Sequence, residues 1–459
     1  MDALLLARWQ FGITTVYHFI FVPLTLGLAP LVAILQTFHY RTGDEAYGRL
    51  AQFFGRLFVI NFTLGVVTGI VQEFQFGMNW SEYSRFVGDI FGIPLAIEAL
   101  LAFFLESTFL GLWIFGRGRL SPRLHLACIW LVAIGSNLSA IWILIANAWM
   151  QVPVGYVLRN GRAELADFLA VLLNDRVLAQ APHTILGGWI TGGLFVLGIS
   201  AWHLLRGSRV ADFGRSARIA LVFSFCAALL TATTGHTQAQ NTVVSQPMKM
   251  AAMEALWETE TPASFSLFAI HDQANRRSQR DFRVPYLLSV LAHNNATAEV
   301  RGLNQLQAEA EAAHGPGNYI PPVFWVYWSF RAMVGLGLWF ILMSGWGLVT
   351  WWRDRLDTDR LWQRLAIVTL FLPFAANTAG WLLTELGRQP WVVYGLLRTE
   401  QGVSRAVGPV SVWISMIGFT LIYALLAAAG FYLMHRFARP GAEAGRSGPD
   451  DDALPAQLY

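Results

Sequence analysis

Lysine is almost missing from this chain. Of 32 Lys+Arg residues only Lys249 is a lysine. Charge of either sign is scarce too, at 13% of 459 residues, against about 25% in an ordinary soluble domain. The net charge of +3 leaves no electrostatic footprint for nucleic acid. Two cysteines, Cys128 and Cys226, exclude a disulfide framework and a cysteine metal site. Both fall in predicted helices and are expected to be small buried apolar residues. No internal repeat is visible, which weighs against a transporter built from repeated halves.

What abounds is apolar surface: 55% hydrophobic residues and a mean hydropathy of +0.46. Runs of about 20 apolar residues span a bilayer as helices. Nine occur, at roughly 11–38, 51–72, 91–115, 124–148, 184–205, 218–234, 322–350, 365–385 and 409–434. The expected fold is therefore an all-α polytopic membrane protein with nine transmembrane helices. The first run is too long for a cleavable signal and has no cleavage site beside it. Arginines gather after spans one, three, five and seven, among them Arg41, Arg117, Arg206 and Arg353, and again at Arg436. The positive-inside rule then places the N-terminus outside and the C-terminus in the cytoplasm.

The chain divides into spans one to six (1–235), a polar outer loop (236–321), spans seven to nine (322–436) and a disordered cytoplasmic tail (437–459). The loop is too long for a plain connector, and such loops tend to be functional. Within it, 303–313 reads as a short amphipathic helix. It also holds Lys249, five residues before Glu254.

Ionisable residues at membrane depth are costly and mark function. Glu98 and Glu106 sit inside the third run, Glu385 closes the eighth, His18 lies in the first, and His183 opens the fifth. At about 1.5 Å rise per residue, His18 lies roughly 14 Å beyond Trp9. Glu98 falls at a similar depth, Met333 about three turns into span seven, and Glu106 deeper. Histidine, methionine and glutamate in a bundle core suit haem iron. Arg331 and Arg388 are natural partners for haem propionates. Two other readings stay open on the residues alone: a b-haem quinol dehydrogenase anchor, and a haem-free proton-coupled transporter.

Six segments narrow the choice. They are Tyr17-His-Phe-Ile-Phe-Val-Pro-Leu-Thr-Leu-Gly27, Glu73-Phe-Gln-Phe-Gly77, Gly88-Asp-Ile-Phe-Gly92, Phe103-Phe-Leu-Glu-Ser-Thr108, Gly135-Ser-Asn-Leu-Ser139 and Gly380-Trp-Leu-Leu-Thr-Glu-Leu-Gly-Arg-Gln-Pro-Trp391. Together and in this order they resemble subunit I of the cytochrome bd-type quinol oxidases, of the kind with a short quinol loop. The resemblance implies a terminal respiratory oxidase of the bacterial cytoplasmic membrane. Such an enzyme takes electrons from membrane quinol at the outer face and reduces dioxygen to water at a high-spin haem pair. Its protons come from the cytoplasm, so a gradient arises without pumping.

The resemblance also implies cofactors, partners and roles. Subunit I carries a low-spin haem b, a high-spin haem b and a haem d, whose place a further haem b takes in some short-loop relatives. His183 and Met333 would ligate the low-spin haem, and His18 and Glu385 one high-spin haem each, in an order left open. Trp381 belongs to the same haem-binding motif as Glu385. Glu98 would stand beside the oxygen-reducing pair, and Glu106 would pass protons, with Ser139. Lys249 and Glu254 would serve quinol oxidation. The partners are a second membrane subunit and, in some relatives, a small single-helix subunit.

Overall fold

The structure, a computed structural model, describes residues 2–439. The tail expected to be disordered lies, from residue 440 onward, outside the described residues. A backbone in hydrocarbon must satisfy its own hydrogen bonds, which makes long apolar runs helical. Among the described residues nine helical stretches are long and apolar enough to cross a membrane.

α1 (Ala3–Thr42) and α2 (Glu45–Met78) form the first pair. The third span is composite: α3 (Ser81–Ile97), a π-helical turn (Glu98–Phe103) and α4 (Phe104–Phe115). α5 (Pro122–Gln151) follows. A hairpin of β1 (Tyr156–Arg159) and β2 (Arg162–Leu165) and the short α6 (Phe168–Leu172) lead into α7 (Asp175–Leu205). α8 (Val210–Ser245) runs back and hands over to α9 (Pro247–Met253). A second hairpin, β3 (Phe265–Asp272) and β4 (Arg277–Val284), precedes α10 (Leu287–His293) and α11 (Leu303–His314). α12 (Val323–Trp352) is the seventh span, and α13 (Arg360–Thr369) with α14 (Leu372–Leu386) makes the eighth. β5 (Trp391–Val393), β6 (Leu397–Arg398) and α15 (Thr399–Gly402) close that end before α16 (Pro409–Ala438).

All nine expected spans are helices, and most run past their apolar stretches. α8 is the clearest case, continuing through residues 236–245 that composition assigned to the loop. Its polar last turns are held from the side. Arg176 of α7 donates to Asn241 Oδ1 at 3.2 Å and to Thr242 Oγ1 at 2.8 Å. The short amphipathic helix expected at 303–313 is α11.

The bundle is tightest where α1 crosses α7. A Cβ on Gly27 would stand 2.3 Å from the carbonyl oxygen of Gly188, and one on Gly192 would stand 2.3 Å from the Gly27 carbonyl carbon. Gly188 and Gly192, one turn apart, let the backbones touch, as small residues do at membrane helix crossings. The crossing fixes the two helices that carry His18 and His183. One expectation fails here: Cys128 is buried, but Cys226 is exposed on α8. In a membrane helix the outward face is apolar as well, so apolar character does not select the inward one.

Candidate functional site

A single cavity of about 1610 Å³ gathers the candidate residues. Pockets for one drug-sized ligand measure about 300–1,000 Å³, so this one has room for more. His18, His183, Met333 and Glu385 are on its wall. So are Glu98, Glu106, Ser139, Lys249, Glu254, Trp381 and Arg388. Arg331 is the one predicted site residue that is not.

The two histidines share one device. His183 Nδ1 lies 3.1 Å from the Thr231 carbonyl oxygen, which can only accept. The proton must therefore be on Nδ1, leaving the Nε2 lone pair for a metal. His18 Nδ1 lies 2.9 Å from Thr68 Oγ1. That hydroxyl donates to the Leu64 carbonyl at 2.9 Å, so toward the ring it acts as acceptor. His18 is thus held in the same tautomer. Glycines make room for the candidate ligands. A Cβ at Gly235 would meet His183 Cε1 at 3.0 Å, one at Gly380 would meet Met333 Sδ at 3.0 Å, and one at Gly69 would meet His18 Cε1 at 3.2 Å.

Glu385 is ion-paired to Arg388 and accepts from Asn147 Nδ2 at 3.1 Å. A carboxylate offers about four lone-pair sites, so acceptor capacity remains. Arg388 is 2% exposed, and its Nη1 is buried with no partner among the described residues. An orphaned donor of this kind fits a propionate. Trp381 stands edge-on to Phe19, ring centroids 5.8 Å apart. The donors present, two oriented imidazoles, a thioether and a carboxylate, fit haem iron.

Glu98 and Glu106 are bridged to α5 by serines. Ser139 donates to Glu98 Oε1 at 2.7 Å, and Ser136 donates to Glu106 Oε1. Eight α-helical residues would set the carboxylates about 80° apart. The π-helical turn at Glu98–Phe103 absorbs one residue and reduces this to about 20°. Both can then face the same helix.

At the α9 end, Lys249 Nζ donates to Gln151 Oε1 at 2.6 Å. Burial pushes its pKa well down, the Arg176 and Arg388 guanidiniums push it further, and Glu385 opposes them. Glu254 is 1% exposed and is held by Arg331 Nη2 at 2.7 Å. Burial raises its pKa, and Arg331 draws it partly back. Arg331 also donates to the Met253 carbonyl at 2.6 Å and to the Ser266 carbonyl. Its guanidinium is thus shared between Glu254 and two backbone carbonyls, while its Nε is buried with no partner among the described residues.

Residues 6–442 match the family model of cytochrome bd terminal oxidase subunit I. The chain belongs to that family. It is 48% identical over 444 residues to the cytochrome bd ubiquinol oxidase subunit 1 of Bacillus subtilis, covering 96% of this chain and 95% of the relative. It is 40% identical to the cytochrome bd-II ubiquinol oxidase subunit 1 of Escherichia coli, covering 97% and 98%. Its fold is similar to the bd oxidase structure from Geobacillus thermodenitrificans, with a TM-score of 0.88, 29% identity, and 95% and 98% of the two chains covered.

Membership makes this chain a haem-carrying terminal oxidase subunit, an oxidoreductase of the quinol oxidase class, in the bacterial cytoplasmic membrane. Relatives named subunit 1 imply a second subunit beside it. The haem-free transporter and the dehydrogenase anchor both drop out.

Sequence reasoning missed several neighbours. Ser136, not Ser139, holds Glu106, although both stand in one quoted segment. Thr68 and Thr231, which set the histidine tautomers, and Gln151, which holds Lys249, gave no signal of their own. Arg176 could have been found as a lone arginine beside the apolar run of span five; it is 2% exposed, and its Nε has no partner among the described residues.

Proposed function

We propose that this subunit oxidises membrane quinol beside Lys249 and Glu254 and supports the reduction of dioxygen to water elsewhere in the same cavity. The observation that carries the proposal is that one cavity holds both sets of groups on its wall. Trp325, Val334 and Leu338 of α12 line it and are also exposed, which suits entry of an apolar quinol from the lipid.

His183 and Met333 would hold a low-spin haem b. His18 and Glu385 would hold, one each, a high-spin haem b and a haem d, or a further haem b in its place. Arg388 would take a propionate, with Trp381 packed nearby. When bound, the haems carry electrons from quinol to dioxygen and bind the oxygen.

The protein's own groups manage position and protons. Glu254, its pKa raised by burial, accepts a proton from the quinol hydroxyl, and Arg331 fixes its orientation. Lys249 holds the quinol oxygen in exchange for Gln151. Oxidation of each quinol releases two protons at this site, and water formation takes up two others per quinol at the haem pair. Glu106 with Ser136, then Glu98 with Ser139, would deliver protons from the other side. With the arginine-rich end cytoplasmic and the N-terminus outside, release is outward, uptake is inward, and a gradient arises without a pump. The segment 236–321 would be the quinol-binding region, its first ten residues helical. Subunit II, and in some assemblies a small single-helix subunit, would complete the enzyme.

The test is a reduced-minus-oxidised visible spectrum of the complex, wild type against His183→Ala. The wild type is expected to give b-type bands with a far-red chlorin band, and the variant to lose only the low-spin component. Survival of all the haem in the variant would overturn the ligand assignment.

A further inference from the structure

The hairpin β3–β4 lies beside the start of a membrane helix. Its lower end reaches furthest in: Ser266 Oγ is 2.9 Å from Tyr327 Oη, and Arg331 donates to the Ser266 carbonyl. Higher up, Phe268 packs edge-on to Trp328, centroids 5.4 Å apart, and His271 to Tyr327 at 4.4 Å. At the top, the Gln273 side chain bridges Pro321 O and Val323 N, at 3.2 and 3.1 Å. β3 therefore runs along the first turns of α12 and ends level with its first residue. The turn at 274–276 projects beyond it.

This fixes the depth. α12 has 30 residues and is about 45 Å long, against about 30 Å of hydrocarbon. Its first turns stand in the headgroup layer, where exposed Phe324 and Trp325 form an aromatic belt. The hairpin is at the same level.

One hairpin face is only partly covered by the described residues, Phe268 meeting Trp328 at its edge. Phe268 pairs across the ladder with Phe282, and Ile270 with Arg280, so these four side chains share a face. Phe268, Ile270 and Phe282 are 48%, 43% and 67% exposed. A groove of about 370 Å³, lined by Ile270, His271, Phe324 and Trp328, separates this face from α12. Both ring nitrogens of His271 are buried without partners among the described residues. Beyond the apolar patch lies positive charge. Arg276 and Arg280 are exposed and take part in no ion pair among the described residues. Arg277 has only Asp272, at 3.8 Å.

Apolar side chains turned to the interfacial layer, beside arginines in no ion pair among the described residues, match a single chemistry. We propose that the β3–β4 hairpin is an anionic-phospholipid site. Phe268, Ile270 and Phe282 enter the interfacial layer beside α12, and Arg276 and Arg280 hold the headgroup phosphate. The hairpin's lower end also forms part of the cavity wall. Phe265 lines the cavity and lies under Arg331, 4.8 Å from ring centroid to guanidinium carbon. The bound lipid would thus steady the strand that holds Arg331 and Glu254. That consequence rests on the quinol reading above, whereas the lipid site itself does not.

The test is hydrogen exchange of the hairpin amides in the complete two-subunit enzyme. It is compared in nanodiscs of zwitterionic phosphatidylcholine, in nanodiscs containing phosphatidylglycerol, and in detergent. Each arginine near an anionic surface is worth a factor of about five in binding. Exchange over 266–284 should be slower with phosphatidylglycerol, and Arg276→Gln with Arg280→Gln should abolish the difference. The visible spectrum checks that the variants stay folded and loaded. Equal exchange in the two lipid mixtures overturns the proposal. Strong protection even in detergent would mean that subunit II covers the face, and it overturns the proposal as well.

Discussion

The two ends of this bundle use the same residue types in opposite ways. At the α9 end, Arg331–Glu254 and Arg388–Glu385 are enclosed, with side-chain exposures of 11% and 1%, and of 2% and 18%. At the other end, Arg49, Arg209 and Arg215 surround Asp212, whose side chain is 10% exposed, while the three arginines are 49%, 34% and 35% exposed. Removing one partner of an enclosed pair leaves a charge buried alone, a loss of about 3–5 kcal/mol. An exposed pair is worth about 0.2–1 kcal/mol. The enclosed pairs stand on or beside a cavity wall where protons and electrons would move. The open cluster sits among the arginines that the positive-inside rule uses to orient the chain. Charge placed for chemistry is buried on both sides and individually matched, whereas the charge placed for topology is one buried carboxylate shared among arginines that reach solvent.

The comparison breaks most visibly at Glu254. Glu254→Gln should lower quinol kcat/KM by about 10²–10⁴, the range for loss of a positioned base, with haem content unchanged. Steady-state quinol turnover near wild type would remove Glu254 from the site. Arg331→Gln acts differently. Glu254 already sits above the ordinary carboxylate range because it is buried, and Arg331 opposes that. As a base it works ionised, so turnover falls as pH drops through its raised pKa. Without Arg331 that pKa rises further, and the acid limb should move to higher pH. An unmoved or down-shifted limb would show that another group sets it.

Glu106→Gln should slow the proton-coupled phase of oxygen reduction by about 10² or more, the lower end of acid–base effects. Haem reduction by quinol should keep its rate. Its partner Ser136 gives a sharper variant: Ser136→Ala should give a smaller slowing in the same phase. Identical single-turnover traces for wild type and both variants would exclude the path. Lys249→Ala removes a buried donor, worth about 1.5–3 kcal/mol for a charged hydrogen bond. It should reduce turnover roughly tenfold while the haem spectrum stays intact. Unchanged quinol turnover would mean that Lys249 has a purely structural part.

Most of the fold could be read from the chain because hydrocarbon imposes one rule on every span. The helix ends were less legible. Polar residues such as Asn241 and Thr242 look like loop until Arg176 is seen donating to them. The candidate ligands stood out because charge and imidazole are rare at depth. Their supports did not: Thr68, Thr231 and Ser136 are common membrane-helix residues whose meaning depends on what faces them. The π-helical turn that aligns Glu98 with Glu106 has no local signature either, since Glu98–Phe103 is as apolar as its surroundings. Arg331 shows the limit of reasoning from type alone. It matches the chemistry of a propionate partner, and the fold also pairs it with Glu254, a contact that residue type alone did not suggest.

The smallest expected effect tests the wet half of the comparison. Asp212 has three arginines nearby, at 3.0 Å from Arg49, 3.0 Å from Arg209 and 3.7 Å from Arg215. Arg49→Ala leaves two of them, so no charge is stranded. Solvent screens what remains, and stability should fall by less than about 1 kcal/mol. Reversible unfolding in mixed micelles would measure it, and raising the salt should shrink the difference further. Quinol turnover and the visible spectrum should not move. A loss comparable to that of Arg331→Gln would mean that the Asp212 cluster is enclosed in the assembled enzyme, and the contrast between the two ends would then be set by the partner subunit and not by this chain.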